Sequence, residues 1–592
     1  MLVSLRGGSY YTNYNIDPQV FPTQPRWVHG GLGNSIYPEI PASLIRPRTW
    51  QNQSAAALNF TERQIAVRSH INADATLYFN LAGEHAWKFG GQWVRNFEDW
   101  ASGYKYPDCP SISLNWGRPA IFFGINYGIG TYGYYYVTGN EATGPNGFYY
   151  KVHADRWAFY LQDSWTIVGR FTVNAGLRAE SEYVPAYTDD PAYAGVKAID
   201  FGFGDKLAPR IGAIYDVFGD STLKVFANYA LYYDVMKLYT AAMTFGGRKS
   251  KTAFYTLDTY EWDKIGLNGY YPGTLLLVYN SAIPQMDSVD PNMKPMSQRE
   301  FSVGIEKQLW ENASATLRLV QKHLCYAIED IGVIVPGVGD VYYTANPGYG
   351  YSRSTANGGK FDPKYPECPK AKREYWALNL TFDKRFANNW MAGFSYTWSR
   401  LTGNYSGLSG SDENGRVSPN VLRNYDTWFL SFDKNLDPID GVLATDRPHV
   451  LKVYGSYRLP FGLTAGAVVA AMSGTPVSEY WNIASTPFMP YNRGNLGRTP
   501  FLWGANLYVD YSLRFGQTAL HLNVNIDNLF DTAAKTTLFP YRTLYELTVT
   551  EDQIVSKNWT LEGAEFVPNP MYKMGYAFFP PIAARLGMRL SF

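Results

Sequence analysis

The 592-residue sequence predicts an all-β fold, an antiparallel transmembrane β-barrel of the outer membrane with about sixteen strands. Apolar residues recur at every second position in many short segments, which is the period of a strand with one apolar and one polar face. The longest strongly apolar run, at 463–472, is shorter than the roughly 18 to 20 residues of a spanning helix. Short and long connections alternate, as in barrels with tight periplasmic turns and large external loops.

The composition favours a lipid interface over a nucleic-acid surface. The formal net charge is +1 and the charged fraction is 17%, below the roughly 25% of soluble proteins. Aromatic residues reach 17%, with 48 Tyr and 17 Trp, and such amphipathic rings concentrate at membrane–water boundaries. No shift of composition divides the chain, so we expect a single barrel domain over 1–592 and no nucleic-acid partner.

The individual strands follow from the alternation. In 520–530, Val524 lies on the apolar face and Asn523 on the polar face, so we expect Val524 to face lipid and Asn523 the lumen. In 390–400, Trp390 and Trp398 stand near the two ends, where barrels carry aromatic girdles. The predicted strands are 1–14, 60–81, 85–106, 152–168, 170–186, 204–217, 222–235, 297–309, 313–327, 373–386, 389–404, 446–460, 463–479, 501–515, 517–530 and 580–592. The predicted long loops are 15–60, 107–151, 187–203, 235–296, 328–372, 405–445, 481–500 and 532–579.

Two of the three cysteines, Cys109 and Cys368, lie in the similar segments YPDCP and YPECP. Both segments fall in predicted loops on the same side of the barrel. Two interpretations stay open: a loop-to-loop disulfide in an oxidising compartment, or two unrelated small loop residues. The third, Cys325, has no such counterpart, and no cysteine spacing indicates a metal site.

The sequence shows no pattern typical of catalysis. The residues His153, His323, His449 and His521 are too scattered for a metal cluster or a catalytic triad, and we expect them to be polar residues that face the lumen. The acidic segment 411–415 lacks the spacing of an EF-hand and is predicted to be a solvated turn. We therefore expect no enzymatic activity, no catalytic residue, no bound metal and no cofactor.

Tyrosines are concentrated in three predicted loop segments, 127–139, 266–273 and 346–354. Tyr offers a flat apolar ring and a hydroxyl group, which suits contact with carbohydrate, peptide or protein. The same rings could instead pack the loops against one another. The sequence identifies neither the substrate nor the residues that bind it.

The chain ends in the alternating strand RLGMRLSF. The order of Arg585, Gly587, Leu590 and Phe592 resembles the C-terminal sorting signal by which outer-membrane barrels engage their assembly machinery. The resemblance implies that this last strand is recognised by strand pairing.

Longer segments resemble a known family. Those similar to TonB-dependent outer-membrane transporters are 159–180, 290–309 and 525–531. Those similar to the Oar-like branch of that family are 206–234, 328–342, 404–421 and 446–462. The resemblance implies residence in the outer membrane of a Gram-negative bacterium, in contact with lipid, lipopolysaccharide and the barrel assembly machinery. It also implies substrate movement energised by TonB, ExbB and ExbD.

The sequence departs from that family at its N-terminus. No plug domain, TonB-contacting segment or preceding β domain is recognisable, and 1–13 lacks the apolar core of a secretory signal. Because such transporters have about 22 strands, the resemblance implies that the sixteen are the last of these and that Met1 is an internal residue. TonB would then act through the absent N-terminal region. Two other hypotheses stay open: a complete sixteen-stranded passive porin, and a surface adhesin or assembly scaffold.

Overall fold

The structure is a computed structural model. It describes residues 1–16, 24–52, 60–104, 110–122, 125–139, 147–186, 191–193, 195–238, 245–246, 251–280, 289–335, 339–353, 364–406, 425, 427–483 and 486–592.

One large antiparallel sheet of seventeen strands dominates the fold, and all but one of its strands pair with their neighbours in chain order. Sixteen of these strands form the wall. They are β1 (Leu2–Ile16), β2 (Phe60–Asn80), β3 (Glu84–Tyr104), β4 (Gly147–Ile167), β5 (Phe171–Pro185), β6 (Lys197–Asp216), β7 (Leu223–Tyr233), β8 (Ser297–Trp310), β9 (Ala313–Tyr326), β10 (Arg373–Ala387), β11 (Trp390–Gly403), β12 (His449–Arg458), β13 (Leu463–Met472), β14 (Leu502–Phe515), β15 (Thr518–Asp527) and β16 (Ala583–Ser591). The seventeenth, Gly441–Val442, pairs with the end of β11.

The pairing register separates the sheet into an apolar face and a polar face. Val524 lies opposite Leu586 of β16, and Asn523 lies opposite Gly587. Since directly paired residues project to the same side, apolar residues collect on the side of Val524, here called the apolar face. The other side, that of Asn523, is called the polar face. The predicted alternation of 520–530 agrees with this register.

The ends of the sheet also differ. At one end, here called the turn end, connections are short, such as the turn that contains Gly169 between β4 and β5. At the other, the loop end, connections carry smaller sheets and helical turns. We predicted a loop at 187–203, but β6 begins at Lys197. A bulge between Glu180 and Glu182 absorbs the extra residues of the Gly-rich segment 202–205, so pairing with β5 continues.

The strand predicted at 463–479 is shorter than expected, because β13 ends at Met472. A Cβ on Gly474 would lie 1.7 Å from the Thr499 carbonyl oxygen, and Pro476 has no N–H for a ladder. The chain therefore leaves the wall here and enters the loop end.

The wall is open between its first and last strands. In the described part of the chain, β1 pairs only with β2, and β16 pairs only with β15. A complete sixteen-stranded porin requires β1 and β16 to pair, and the structure does not show this pairing. Nearly all side chains of β1 are exposed, as expected for a strand at a free edge.

Three loops fold together at the loop end into a five-stranded sheet, here called the first loop module. Its strands, in spatial order, are Leu275–Asn280, Lys251–Leu257, Gly133–Thr138, Ser111–Trp116 and Arg26–Gly31. The last two run parallel. The buried core of the module contains Trp27, Ile40, Ile112, Leu114, Trp116, Tyr135, Val137, Leu257, Trp262 and Ile265.

The loops after β9 form a second loop module. Its core joins Tyr365, Trp428, Phe429, Leu430, Phe432, Trp481, Ile483, Phe488, Leu547, Ile554 and Ala564. The remaining short strands are Ala120–Phe122, Ile125–Gly128, Glu329–Val335, Gly339–Ala345, Trp481–Ile483, Thr486–Phe488, Lys535–Leu538 and Gly575–Phe578. Within the part of the chain that the structure describes, an α-helix covers Glu551–Ser556, and 3-10 turns cover Asn34–Ile36, Ala42–Leu44, Pro191–Tyr193, Trp262–Lys264, Leu267–Gly269, Gly350–Arg353, Trp428–Ser431 and Glu562–Ala564. Among the described residues, no helix has the length and apolar character needed to cross a membrane.

Candidate functional site

The candidate functional site is the loop end, where the two loop modules meet above the polar face. The Arg48 guanidinium carbon lies 4.8 Å from the centre of the Tyr545 ring, in a cation–π contact. Arg118 Nη2 lies 3.4 Å from Thr548 Oγ1. These contacts join loops that leave the wall near its two opposite edges. The two modules therefore contact each other and form one continuous layer, here called the cover.

Aromatic side chains line the face of the first module that lies opposite its core. The Phe122 ring centre is 5.3 Å from that of Phe254 and 4.8 Å from that of Tyr279. Tyr134 belongs to the same group, and burial, Tyr136 and Glu546 raise its pKa to about 12. Because Glu546 belongs to the second module, this aromatic face is turned toward that module. A flat aromatic surface with hydroxyl groups suits contact with carbohydrate or peptide.

The tyrosine-rich segments are used mainly for packing. Tyr135, within 127–139, is fully buried and stacks on Tyr255 with ring centres 5.2 Å apart. Tyr351, within 346–354, packs against Tyr343 with ring centres 5.4 Å apart. Tyr270 of the segment 266–273 remains exposed. Among these segments, the buried rings stabilise the loops, and only the exposed ones are available to a ligand.

A buried histidine, His29, occupies the centre of the first module at 1% exposure. Trp116 Nε1 donates a hydrogen bond to His29 Nδ1 at 3.2 Å, and the Trp262 ring centre lies 4.6 Å from that of His29. Nε2 of His29 has no hydrogen-bond partner among the described residues. Burial, assisted by the positive charge of Arg46, lowers the pKa of His29 to about 4. The first module is therefore built around a neutral imidazole.

Acidification is expected to loosen the first module. The folded pKa of His29 lies below its unfolded value, so the contribution to stability is complete above about pH 6.5 and is lost as pH falls toward 4. Between pH 7.5 and 5 the module should lose about 2 kcal/mol, since a proton on Nδ1 removes the acceptor for Trp116. Hydrogen exchange of 111–116 measures this. The variant His29→Asn should show no such pH step in the same window, and an equal step in both proteins would contradict the assignment.

Below the cover, the polar face carries paired charges and two open cavities. Asp74 bridges Arg6 of β1 and Lys88 of β3, at 3.0 Å and 3.1 Å. A cavity of about 530 Å³ lies along β3 to β8, with a polar lining that includes Lys88, Gln162, Asn174, Arg178, Arg210, Asn228 and Glu300. A second, of about 810 Å³, lies along β12 to β16 and includes Asp510, Ser512, Arg514, His521, Asn523 and Arg589. The polar face is chemically suited to water, a polar solute or a polar domain.

The structure positions the residues of the expected C-terminal signal on β16. Arg585 Nη2 lies 2.7 Å from Asp527 Oδ2 on the polar face. A Cβ on Gly587 would lie 2.6 Å from Asn523 Oδ1, so the close approach of β15 favours glycine there. Leu590 and Phe592 are 56% and 98% exposed on the apolar face. Recognition by the assembly machinery stays a prediction.

The prediction that four scattered histidines face the lumen is wrong for three of them. His323 pairs with Arg299 in the register that places Phe301 and Leu319 on the apolar face. By the same criterion His153 and His449 lie on the apolar register, near the loop end. Only His521 lies on the polar face, where its Nδ1 is 2.8 Å from Ser512 Oγ. The alternation alone did not indicate that the apolar face of the sheet carries polar side chains near the loop end.

Two further predictions fall partly outside the described residues. Cys109 lies outside them, as does the acidic segment 411–415. Cys368 packs against the buried cluster around Tyr343, and burial raises the pKa of its thiol to about 12. The disulfide between Cys109 and Cys368 therefore stays a prediction. Within the described ranges, no group of three or more His, Cys, Asp or Glu side chains could hold a metal ion.

Comparison with known proteins gives consistent matches. Residues 1–541 match the family described as "Outer membrane beta barrel domain". The chain is 27% identical over 553 residues to the TonB-dependent transporter Oar of Myxococcus xanthus. The aligned region covers 86% of this chain and 48% of Oar. It thus spans about half the length of that relative. The outer membrane transporter YddB of Escherichia coli has a similar structure, with a TM-score of 0.53 at 11% identity, over 91% of this chain and 58% of YddB.

Proposed function

Because the chain belongs to the outer membrane beta barrel domain family, we propose that it forms the wall and the external loops of a TonB-dependent transporter. Its apolar face lies against the lipid of the outer membrane, and its polar face encloses the transport path. The match to the Oar transporter supports transport as the activity. The two loop modules would then receive the substrate, and the turn end would face the periplasm.

The observation that carries this proposal is the open wall. The free edges of β1 and β16 leave unpaired backbone groups, which a lipid bilayer does not tolerate. About six further strands would complete a barrel of about 22 strands, the size that contains a plug. In this proposal the described wall is the last sixteen strands of that barrel. Its paired charges, such as Arg6 with Asp74, then provide polar contacts for a plug.

The work of the transporter is divided among several parts. The loop modules bind substrate, and the wall supplies a polar lining around the plug. TonB, energised by ExbB and ExbD, acts on the plug through a region N-terminal to the barrel. Lipopolysaccharide surrounds the external rim, and the assembly machinery inserts the barrel. No step of this cycle requires covalent chemistry by the wall.

Ion conductance of the purified 592-residue chain in a planar bilayer tests the proposal. We expect no insertion or only irregular leakage, because the open edges prevent closure of the wall. A sixteen-stranded porin measured in the same bilayers is the control for a closed pore. Large, steady and uniform channels from this chain would contradict the proposal and favour a passive porin.

A further inference from the structure

A cavity of about 670 Å³ lies on the outer side of the wall at the loop end. It is lined by the chain segments at the ends of β12, β13 and β14 and by the hairpin formed by Lys535–Leu538 and Gly575–Phe578. Among its lining residues are Arg447, Thr475 and Thr499. None of the sequence patterns indicated this site, because its residues come from three separate connections.

The register of the wall identifies the side on which the cavity opens. Leu451 of β12 lies opposite Ala471 of β13, which lies opposite Trp503 of β14, all on the apolar face. The antiparallel pairing of β13 and β14 continues beyond the strands, since Pro476 still pairs with Arg498 and the Thr499 N–H donates to the Thr475 carbonyl oxygen. Thr499 and Arg447, four positions before Trp503 and Leu451, therefore continue the same register. The cavity therefore opens toward lipid, directly beyond the exposed Trp503. That level corresponds to the boundary between acyl chains and headgroups, where Trp residues concentrate.

The cavity contains a positive charge without a carboxylate partner. Arg447 Nη1 donates to the Ser473 carbonyl oxygen at 2.5 Å, and no ion pair to Arg447 occurs among the described residues. The nearest carboxylate in sequence, Asp446, pairs with Arg498 instead. Burial and the charge of Arg498 lower the pKa of the Arg447 guanidinium below its usual range. An anion in the cavity would offset both the burial of the Arg447 guanidinium and its repulsion by Arg498.

The rest of the lining supplies hydroxyl groups and aromatic rings. The hydroxyl side chains are Thr445, Thr475, Ser478, Thr499, Thr536 and Thr537. The Phe539 ring centre is 5.7 Å from that of Tyr541 and 6.2 Å from that of Tyr576, so these rings form one wall of the cavity. Hydroxyl groups can bind phosphate oxygens and sugar hydroxyls, and aromatic faces stack on sugar rings.

We propose that this cavity binds the phosphorylated sugar headgroup of a glycolipid in the surrounding leaflet. The guanidinium of Arg447 holds the phosphate, the threonine hydroxyls bind phosphate and sugar oxygens, and the Tyr576 side of the cavity stacks on the sugar. A bound lipid would also fasten the hairpin at 535–538 to the end of β12. This inference rests on the outer-membrane location of the chain and is independent of transport.

Native mass spectrometry of the detergent-solubilised chain tests the site with three probes: diphosphorylated lipid A, dephosphorylated lipid A and inorganic phosphate. We expect saturable binding of diphosphorylated lipid A and about tenfold weaker binding after Arg447→Gln. Arg353→Gln, which alters an exposed arginine of another loop, is the matched control and should bind normally. Tyr576→Ala should also weaken binding, and it provides the test if Arg447→Gln does not fold.

Three outcomes would overturn the inference. Equal binding of the dephosphorylated lipid would remove the role of the phosphate. Unchanged binding by Arg447→Gln and by Tyr576→Ala would locate the lipid elsewhere. Binding of inorganic phosphate as tight as that of the lipid would show a simple anion site. Weaker lipid binding by both Arg447→Gln and Tyr576→Ala, together with normal lipid binding by Arg353→Gln, would support the assignment.

Discussion

Replacing Leu590 by aspartate is expected to abolish membrane assembly. Leu590 pairs with Leu520 on the apolar face, near the end of β16. No strand in the described part of the chain pairs with the other edge of β16, so another strand can pair there. A carboxylate at this position would stand on the face that meets lipid, and it would also alter the C-terminal pattern that ends in Phe592. The heat-modifiable band of folded protein in the outer-membrane fraction measures assembly, in cells that produce the wall together with the further strands proposed to complete it.

The matched control for this change is Ser591→Asp. It introduces the same charge one residue away, on the polar face, where Ser591 Oγ donates to the Ala519 carbonyl oxygen. We expect Ser591→Asp to assemble at nearly normal levels and deletion of Phe592 to behave like Leu590→Asp. Normal assembly of Leu590→Asp or of the deletion variant would disprove the role of this segment as a sorting signal.

The wall could be predicted from the sequence because its information is local. A period of two over about ten residues specifies a strand and the faces of its side chains, and the turn residues specify its ends. Val524 and Asn523 show this, since their predicted faces agree with the pairing to β16. The prediction failed where a bulge intervened, as at Glu180 and Glu182. A bulge inserts residues without changing the composition that alternation detects.

The candidate site could not be predicted in the same way, because its contacts join distant parts of the chain. Trp27 Nε1 donates to the Ile265 carbonyl oxygen at 2.9 Å, across 238 residues of sequence. His29 likewise owes its low pKa mainly to burial, against Trp116 and Trp262 from two other loops, and to the charge of Arg46 in its own loop. The abundance of Tyr and Trp in the loops was the available signal. It indicated aromatic packing or ligand contact without distinguishing the two.

The cavity at Arg447 was missed for a related reason. Its segment, DRPHV, is an ordinary strand entry in sequence, and Asp446 beside Arg447 would suggest a local ion pair. The structure instead pairs Asp446 with Arg498, and Arg447 has no carboxylate partner among the residues that the structure describes. Three histidines also lie on the apolar face near the loop end, so polar side chains recur on this face at that level. Near the loop end, the outward side of the strands becomes polar enough to meet headgroups.

Introducing arginine at Val524 is expected to destabilise the wall by about 2 to 4 kcal/mol. Val524 lies on the apolar face between Val509 of β14 and Leu586 of β16, well inside β15. A guanidinium at this point must be transferred into hydrocarbon or drawn along the strand toward the headgroups. Equilibrium unfolding in lipid vesicles, followed by Trp fluorescence, measures the change in the free energy of unfolding, with the wall completed by the further strands proposed above.

The neighbouring position gives the matched control, because it differs only in the face that it occupies. Asn523 lines the cavity of about 810 Å³ on the polar face, where Asp510 lies opposite it. Arg at 523 can remain hydrated and near a carboxylate, so we expect a change within about 0.5 kcal/mol. A larger loss at 523 than at 524 would reverse the assignment of the two faces. Equal losses would mean that neither face of β15 meets hydrocarbon.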